Sequence, residues 1–251
     1  MIQIQPKLGQ LEEWKRFADR EDLVYEVIGL PRVTAVLPEE EREPYIRWFA
    51  DSERSVSMHG AFIDINPVSG DPDIAGLSRK KIAESCSIAK RIGADNIVFH
   101  GSCFQYLRGQ YFDTHVRLAA EYYREIAEMT GLNIFIENSF DLDPDPMEQI
   151  VCLADHEKVR CCLDIGHANY SRVPVKGWFD QLGDKIGYLH LSDNFGRFDD
   201  HVAIGEGNID WEETDRLYRD LGRDIPVTLE TGDLEQTKQS YLYLKERGFF
   251  I

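Results

Sequence analysis

The chain has 251 residues, of which 43% are hydrophobic and 29% charged, a composition that excludes a disordered chain and is long enough to bury a large core. Its formal net charge is −17, with no basic run longer than Arg79-Lys80-Lys81, which argues against a protein that grips nucleic acid through phosphate contacts. No apolar run approaches the roughly 18 residues of a membrane span, and the first residues, MIQIQPKLGQ, lack a basic-then-apolar leader, so a cytoplasmic protein is expected.

Short β-branched runs alternate with longer stretches of helical period. Strands are expected at about 2–6, 24–29, 55–62, 96–101, 133–138, 159–165, 186–192 and 226–231. The segment from Pro31 to Arg54 is rich in charge and holds one helix at most. Ile82, Cys86 and Ala89 mark the inward face of a helix that Gly93 ends, and Val116, Ala119, Tyr123 and Ile126 do the same for 111–130. Asp145-Pro146-Met147-Glu148 and Asp210-Trp211-Glu212-Glu213 read as capping boxes, and Asp233 with Gln236 opens the last helix. Eight strands with helices between them predict the α/β class: a (β/α)₈ barrel in which residues 1–251 form one domain.

The five cysteines, Cys86, Cys103, Cys152, Cys161 and Cys162, are odd in number and form no CxxC, so reduced thiols are expected, with Cys161 and Cys162 buried in a strand. His115 and His156 fall in helical stretches and are expected at the surface. Glu26, in VYEVIG, could serve the barrel mouth or be a satisfied strand-end carboxylate.

Nine residues of metal-ligand type sit where apolar runs end: His59, His100, Glu137, Asp164, His167, His190, Asp199, His201 and Glu230. In a (β/α)₈ barrel the carboxyl ends of the strands converge on one mouth, so these side chains are expected to meet. A lone strand-end carboxylate is often only a helix cap. Glu137, Asp164, His190 and Glu230, from strands five to eight, are a set that coincidence explains poorly. Three carboxylates and an imidazole suit Mn²⁺, Co²⁺, Mg²⁺ or Zn²⁺ and leave positions for substrate oxygens. Glu137 and Glu230 are the candidate acid and base for proton transfer beside a carbonyl, through a metal-stabilised enediolate. The other five are candidates either for further ligands or for hydrogen bonds to substrate and to the ligating carboxylates.

The stretches MHGAFIDINP, VFHGS, FIENS, CLDIGHANY, LHLSDNFGRFDDHVAIGEGNIDW and TLET, spanning about Val56 to Thr231, resemble the xylose isomerase-like TIM barrels. That superfamily holds sugar isomerases and epimerases together with DNA-repair enzymes of the endonuclease IV type. The resemblance to the sugar branch implies one divalent metal on Glu137, Asp164, His190 and Glu230, and acid–base roles for the two glutamates. It also implies a substrate-oxygen contact at His167 and a sugar contact at Arg197. The endonuclease branch implies three metals on all nine residues and hydrolysis of DNA at abasic sites. The acidic balance and the length favour the sugar branch, with Phe104 and Tyr106 as the candidates for an aromatic wedge that DNA would need. A small sugar substrate and a homo-oligomer are the expected partners.

Overall fold

The computed structural model describes residues 1–30, 39–101, 103 and 108–250, with only the backbone of residues 39 and 40. All eight expected strands form: β1 (Ile2–Ile4), β2 (Val24–Val27), β3 (Val56–His59), β4 (Asn96–His100), β5 (Asn133–Glu137), β6 (Val159–Asp164), β7 (Ile186–Leu191) and β8 (Val227–Leu229). They pair in parallel in chain order, and β1 closes onto β8. The helices are α1 (Leu11–Glu21), α2 (Glu39–Ala50), α3 (Pro72–Arg91), α4 (Gln110–Thr130), α5 (Asp145–Ala154), a short α6 (Ile165–Asn169), α7 (Val175–Leu182), α8 (Trp211–Asp220) and α9 (Leu234–Arg247). The wedge candidates Phe104 and Tyr106 lie outside the described residues, as do 31–38. No described helix is long and apolar enough to cross a membrane.

The period of two along each strand gives the wall two different faces. Ile4, Val27, Met58, Ile97, Ile134, Ile136, Leu163, Leu189 and Leu229 belong to the large apolar core that the helices cover. The intervening positions point into the barrel, where the apolar filling is small: Val98, Phe135, Cys162 and Tyr188 form a separate cluster. Below it lies a hydrogen-bonded layer, in which Asn133 donates to Asn96 at 2.9 Å and Asn96 to Ser57 at 3.5 Å. One step further along the same strands, the inward positions are His59, His100, Glu137, Asp164 and His190. The site is therefore the top layer of the barrel interior.

Register decides which of these meet. His100 lies beside Glu137, and Asp164 beside His190. The second pairing depends on an irregularity. Cys161 pairs with Ile186 but Cys162 pairs with Tyr188, so β7 carries one extra residue, Gly187, between them. Without that slip His190 would sit one place out of step and face the helices. A Cβ on Gly187 would come within 2.8 Å of the Phe135 ring and 2.9 Å of the Arg160 side chain.

Most local signals are realised. Asp210 accepts from Glu213 N at 2.9 Å, and Asp233 from Gln236 N at 2.9 Å. The expected box at Asp145 is not. Pro144 precedes α5 without a side-chain cap, and Asp145 and Glu148 instead accept from Gln181 Nε2 at 2.8 and 2.7 Å, tying α5 to α7. His115 also departs from expectation. It is buried on the inner face of α4, among Val116, Ala119 and Tyr122, and burial lowers its pKa. His156 is half-buried just beyond α5, where Nδ1 accepts from Lys158 N at 3.1 Å. None of the five cysteines forms a disulfide, and Cys161 and Cys162 are buried as expected.

Candidate metal centre at the strand ends

The nine ligand-type residues converge. They fall into adjoining groups, each with ligand atoms mutually within 4.8 Å: His59, His100 and Glu137; Glu137, Asp164, His190 and Glu230; and His167, Asp199 and His201. His59, His190 and Glu230 form a further such set. Glu137 links two groups. Its Oε2 lies 3.1 Å from His59 Nε2 and 3.3 Å from His100 Nε2, while Oε1 lies 3.0 Å from His190 Nδ1.

Each group is held from behind by its local fold. Asp164 caps α6, accepting from His167 N at 2.6 Å, which sets His167 one turn away on the same side. Asn138, just past β5, brackets the Asp164 backbone: Oδ1 accepts from Asp164 N at 2.8 Å and Nδ2 donates to Asp164 O at 3.0 Å. The long loop after β7 folds around Asp193. This buried carboxylate accepts from the N–H groups of Asn194, Gly205 and Ile209 and from Trp211 Nε1. Gly207 lets the backbone pass: an added Cβ would lie 2.1 Å from Asp193 Oδ1. The loop so folded brings Asp199 Oδ2 to 3.3 Å from His167 Nε2 and 3.1 Å from His201 Nε2. Arg197 is exposed on the same loop and belongs to none of the ligand groups.

Burial opposes every charge here, and the neighbours decide the outcome. Burial alone would raise Glu137, yet the imidazoles of His190 and His100 hold its pKa well below the carboxylate range. Glu230 is likewise brought down to about 2, because His190 outweighs burial. Asp164 goes the other way, pushed up to about 6 by burial despite His167. His201 rises to about 10 because Asp199 overcomes burial.

Two oxygens test whether this set fits a cation. Asp164 Oδ2 and Glu230 Oε2 are buried without a hydrogen-bond partner. Glu230 Oε2 is only 2.8 Å from His190 Nδ1, but that nitrogen's hydrogen bond runs to Glu137, so the contact is close and unaligned. Buried carboxylate oxygens left unpaired are costly, and a divalent ion would satisfy both along with Glu137 and His190. The residues present fit such an ion.

Sequence reasoning left Glu26 undecided and did not find Asn138, Tyr188 or Asp193. Glu26 is wholly buried: Oε1 accepts from Gln5 Nε2 at 2.8 Å, while Oε2 meets His190 Nε2 at 3.1 Å, Thr228 Oγ1 at 3.3 Å and the Tyr188 hydroxyl. The available signal was a carboxylate at an inward position of an otherwise apolar strand.

A closed parallel barrel with acid–imidazole groups at its strand carboxyl ends defines the class: a (β/α)₈ barrel built around a candidate metal site. More narrowly, the chain belongs to the xylose isomerase-like TIM barrel family, whose model matches residues 25–247. The match begins within β2 and runs to the end of α9, beyond the stretches that carry the resemblance in sequence. Among relatives, the uncharacterized protein MJ1311 of Methanocaldococcus jannaschii is 28% identical over 206 residues, covering 77% of this chain and 70% of that protein. The fructoselysine 3-epimerase of Escherichia coli O157:H7 is 28% identical over 112 residues, 42% of this chain and 41% of that one. Among solved structures, the TTHB071 protein from Thermus thermophilus, soaked with ZnCl2, superposes with a TM-score of 0.80 at 22% identity, covering 98% of this chain and 96% of that one. A D-tagatose 3-epimerase-like protein gives 0.79 at 23% identity with the same coverage.

Proposed function

We propose that this chain is a divalent-metal-dependent isomerase or epimerase acting on a sugar or sugar phosphate. The observation that carries the reading is the buried group of Glu137, Asp164, His190 and Glu230 with two unpartnered carboxylate oxygens. The epimerase names among its relatives support the substrate class. A bound Mn²⁺, Co²⁺, Zn²⁺ or Mg²⁺ would polarise a carbonyl and offset negative charge developing beside it.

The chain's own residues supply the rest. Glu137 and Glu230 are both held in the ionised form, so either can accept a proton from carbon. His167, at the edge of the buried group, presents Nε2 toward Asp199 and the mouth, where a substrate hydroxyl would be recognised. Arg197, on the loop after β7, is the proposed contact for the far end of the sugar.

The test is incubation of metal-stripped protein with each of the four ions and a panel of ketoses and ketose phosphates in D₂O. Deuterium appearing beside the carbonyl, with a new epimer or aldose, is expected. No exchange with any substrate and any metal retires the reading.

A second reading follows from Glu137, whose two oxygens join adjoining ligand groups. Three such groups side by side suit two or three cations and in-line displacement at phosphorus. Elemental analysis finding about one ion per chain fits the first reading; two or three zinc ions fit the second. Duplex DNA with an abasic site would then be cut, and Asp199→Ala with His201→Ala would abolish cutting.

A further inference from the structure

Four of the site's imidazoles have the ring nitrogen facing away from the acid cluster held by a named acceptor. For three of them the acceptor is the main chain. His59 Nδ1 lies 2.9 Å from Gly60 O, His167 Nδ1 2.6 Å from Asn138 O, and His201 Nδ1 2.7 Å from Glu230 O. His190 alone of the four is held by a carboxylate, Glu26. Its Nδ1, on the other side of the ring, faces both Glu137 and Glu230.

We propose that Glu26 is the positioning residue of the centre: it takes the Nε2 proton of His190 as a hydrogen bond and so commits Nδ1 to the metal. This rests on the metal reading above. The geometry behind it is specific. Glu26 reaches His190 from β2 across the closed barrel, and its carboxylate is aimed by three further groups, Gln5 just past β1, Tyr188 on β7 and Thr228 on β8. A carboxylate that only satisfied itself in the core would have no need of the metal-facing ring. A carboxylate acceptor behind a ligating imidazole fixes which nitrogen is free and makes it a better donor to the cation, which a main-chain carbonyl does more weakly. Glu26 does not touch the reacting atoms and acts only through His190.

Two measurements test this. Zn²⁺ affinity, read by competition with a chromophoric chelator, should fall on the order of 10–100-fold in Glu26→Gln, the range typical for losing such a partner. Tyr188→Phe, which removes one of the groups that aim Glu26 but leaves the Glu26–His190 bond in place, should lose less affinity than Glu26→Gln. Equal loss in both variants would mean that the network matters only as packing and would overturn the proposal. So would a Glu26→Gln affinity within about twofold of the parent.

If Glu26→Gln does not fold, the unaltered protein still decides. Loaded with ¹¹³Cd²⁺ and labelled with ¹⁵N-histidine, it should show cadmium coupling to Nδ1 of His190 and a retained proton on Nε2; coupling to Nε2 overturns the assignment. A parent chain that takes up neither Zn²⁺ nor Cd²⁺ overturns the metal reading and this one with it. A parent that binds while Glu26→Gln binds equally overturns this one alone.

Discussion

Glu26 and Asp164 are both carboxylates with no exposed surface, at inward positions of strands on opposite sides of one barrel, and the structure treats them in opposite ways. On the β1–β2 side, Glu26 has a partner for each oxygen and its pKa is lowered, because His190 overcomes burial. On the β5–β8 side, Asp164 keeps one oxygen unpaired and burial pushes its pKa up to about 6. Both are buried carboxylates, so what separates a brace from a ligand is the unsatisfied valence. Asp164 leaves an oxygen for the proposed metal to complete; Glu26 leaves none.

The largest effect should come from emptying the incomplete side. Glu137→Gln or Glu230→Gln should lower turnover of the proposed sugar substrate by roughly 10²–10⁴-fold, the usual worth of a positioned acid or base. The metal-free variants should melt at a lower temperature than the metal-free parent, since each loses a buried carboxylate that His190 holds ionised. Unchanged turnover in either variant would sink the proton-transfer scheme and with it the division between the walls.

A third buried carboxylate sharpens the comparison. Asp141, in the loop after β5, accepts from Ser139 N at 3.2 Å, and burial pushes its pKa up to about 7. A carboxyl whose pKa is raised by folding binds its proton more tightly in the native state. The stability it brings is full below the unfolded value near 3.9 and is lost as pH climbs toward 7, at up to about 1.4 kcal/mol per pH unit. Urea melts of the metal-free protein between pH 4 and 8 should therefore show a weaker fall in stability for Asp141→Asn than for the parent. Parallel profiles would show that burial at this position does not bind a proton.

Gly187→Ala attacks the register that puts Asp164 beside His190. The added methyl meets the Phe135 ring and the Arg160 side chain and should cost about 1–3 kcal/mol by urea denaturation. Metal uptake should fall as well, which a loss of packing remote from the site would not produce. The smallest effect belongs to a position on neither wall. Lys176 and Asp180 form an exposed i,i+4 pair at 2.5 Å, and Lys176→Ala should change stability by less than about 1 kcal/mol, measured the same way.

Much of this was legible in the sequence. The eight strands and the nine ligand-type residues could be read because both signals are local: a β-branched run shows where a strand is, and the residues at and just past its end show what can reach the mouth. Three features could not be read, each because it depends on something far along the chain. Glu26 is defined by Tyr188 and His190, more than 160 residues away. The slip at Gly187 shows only in the pairing of β6 with β7. The box expected at Asp145 gave way to Gln181 on another helix. His115 was misread because α4 turns that position toward the barrel, where the 3.6 period allowed either face.

The three imidazoles held by main-chain oxygens bear on how such a centre can drift over generations. A carbonyl of Gly60, Asn138 or Glu230 is present whatever side chain occupies the position, so no point mutation there deletes the acceptor behind His59, His167 or His201. The acceptor behind His190 is encoded in a single codon. On the proposed role of Glu26, a substitution on β2 is therefore the shortest route by which descent with modification could retune His190.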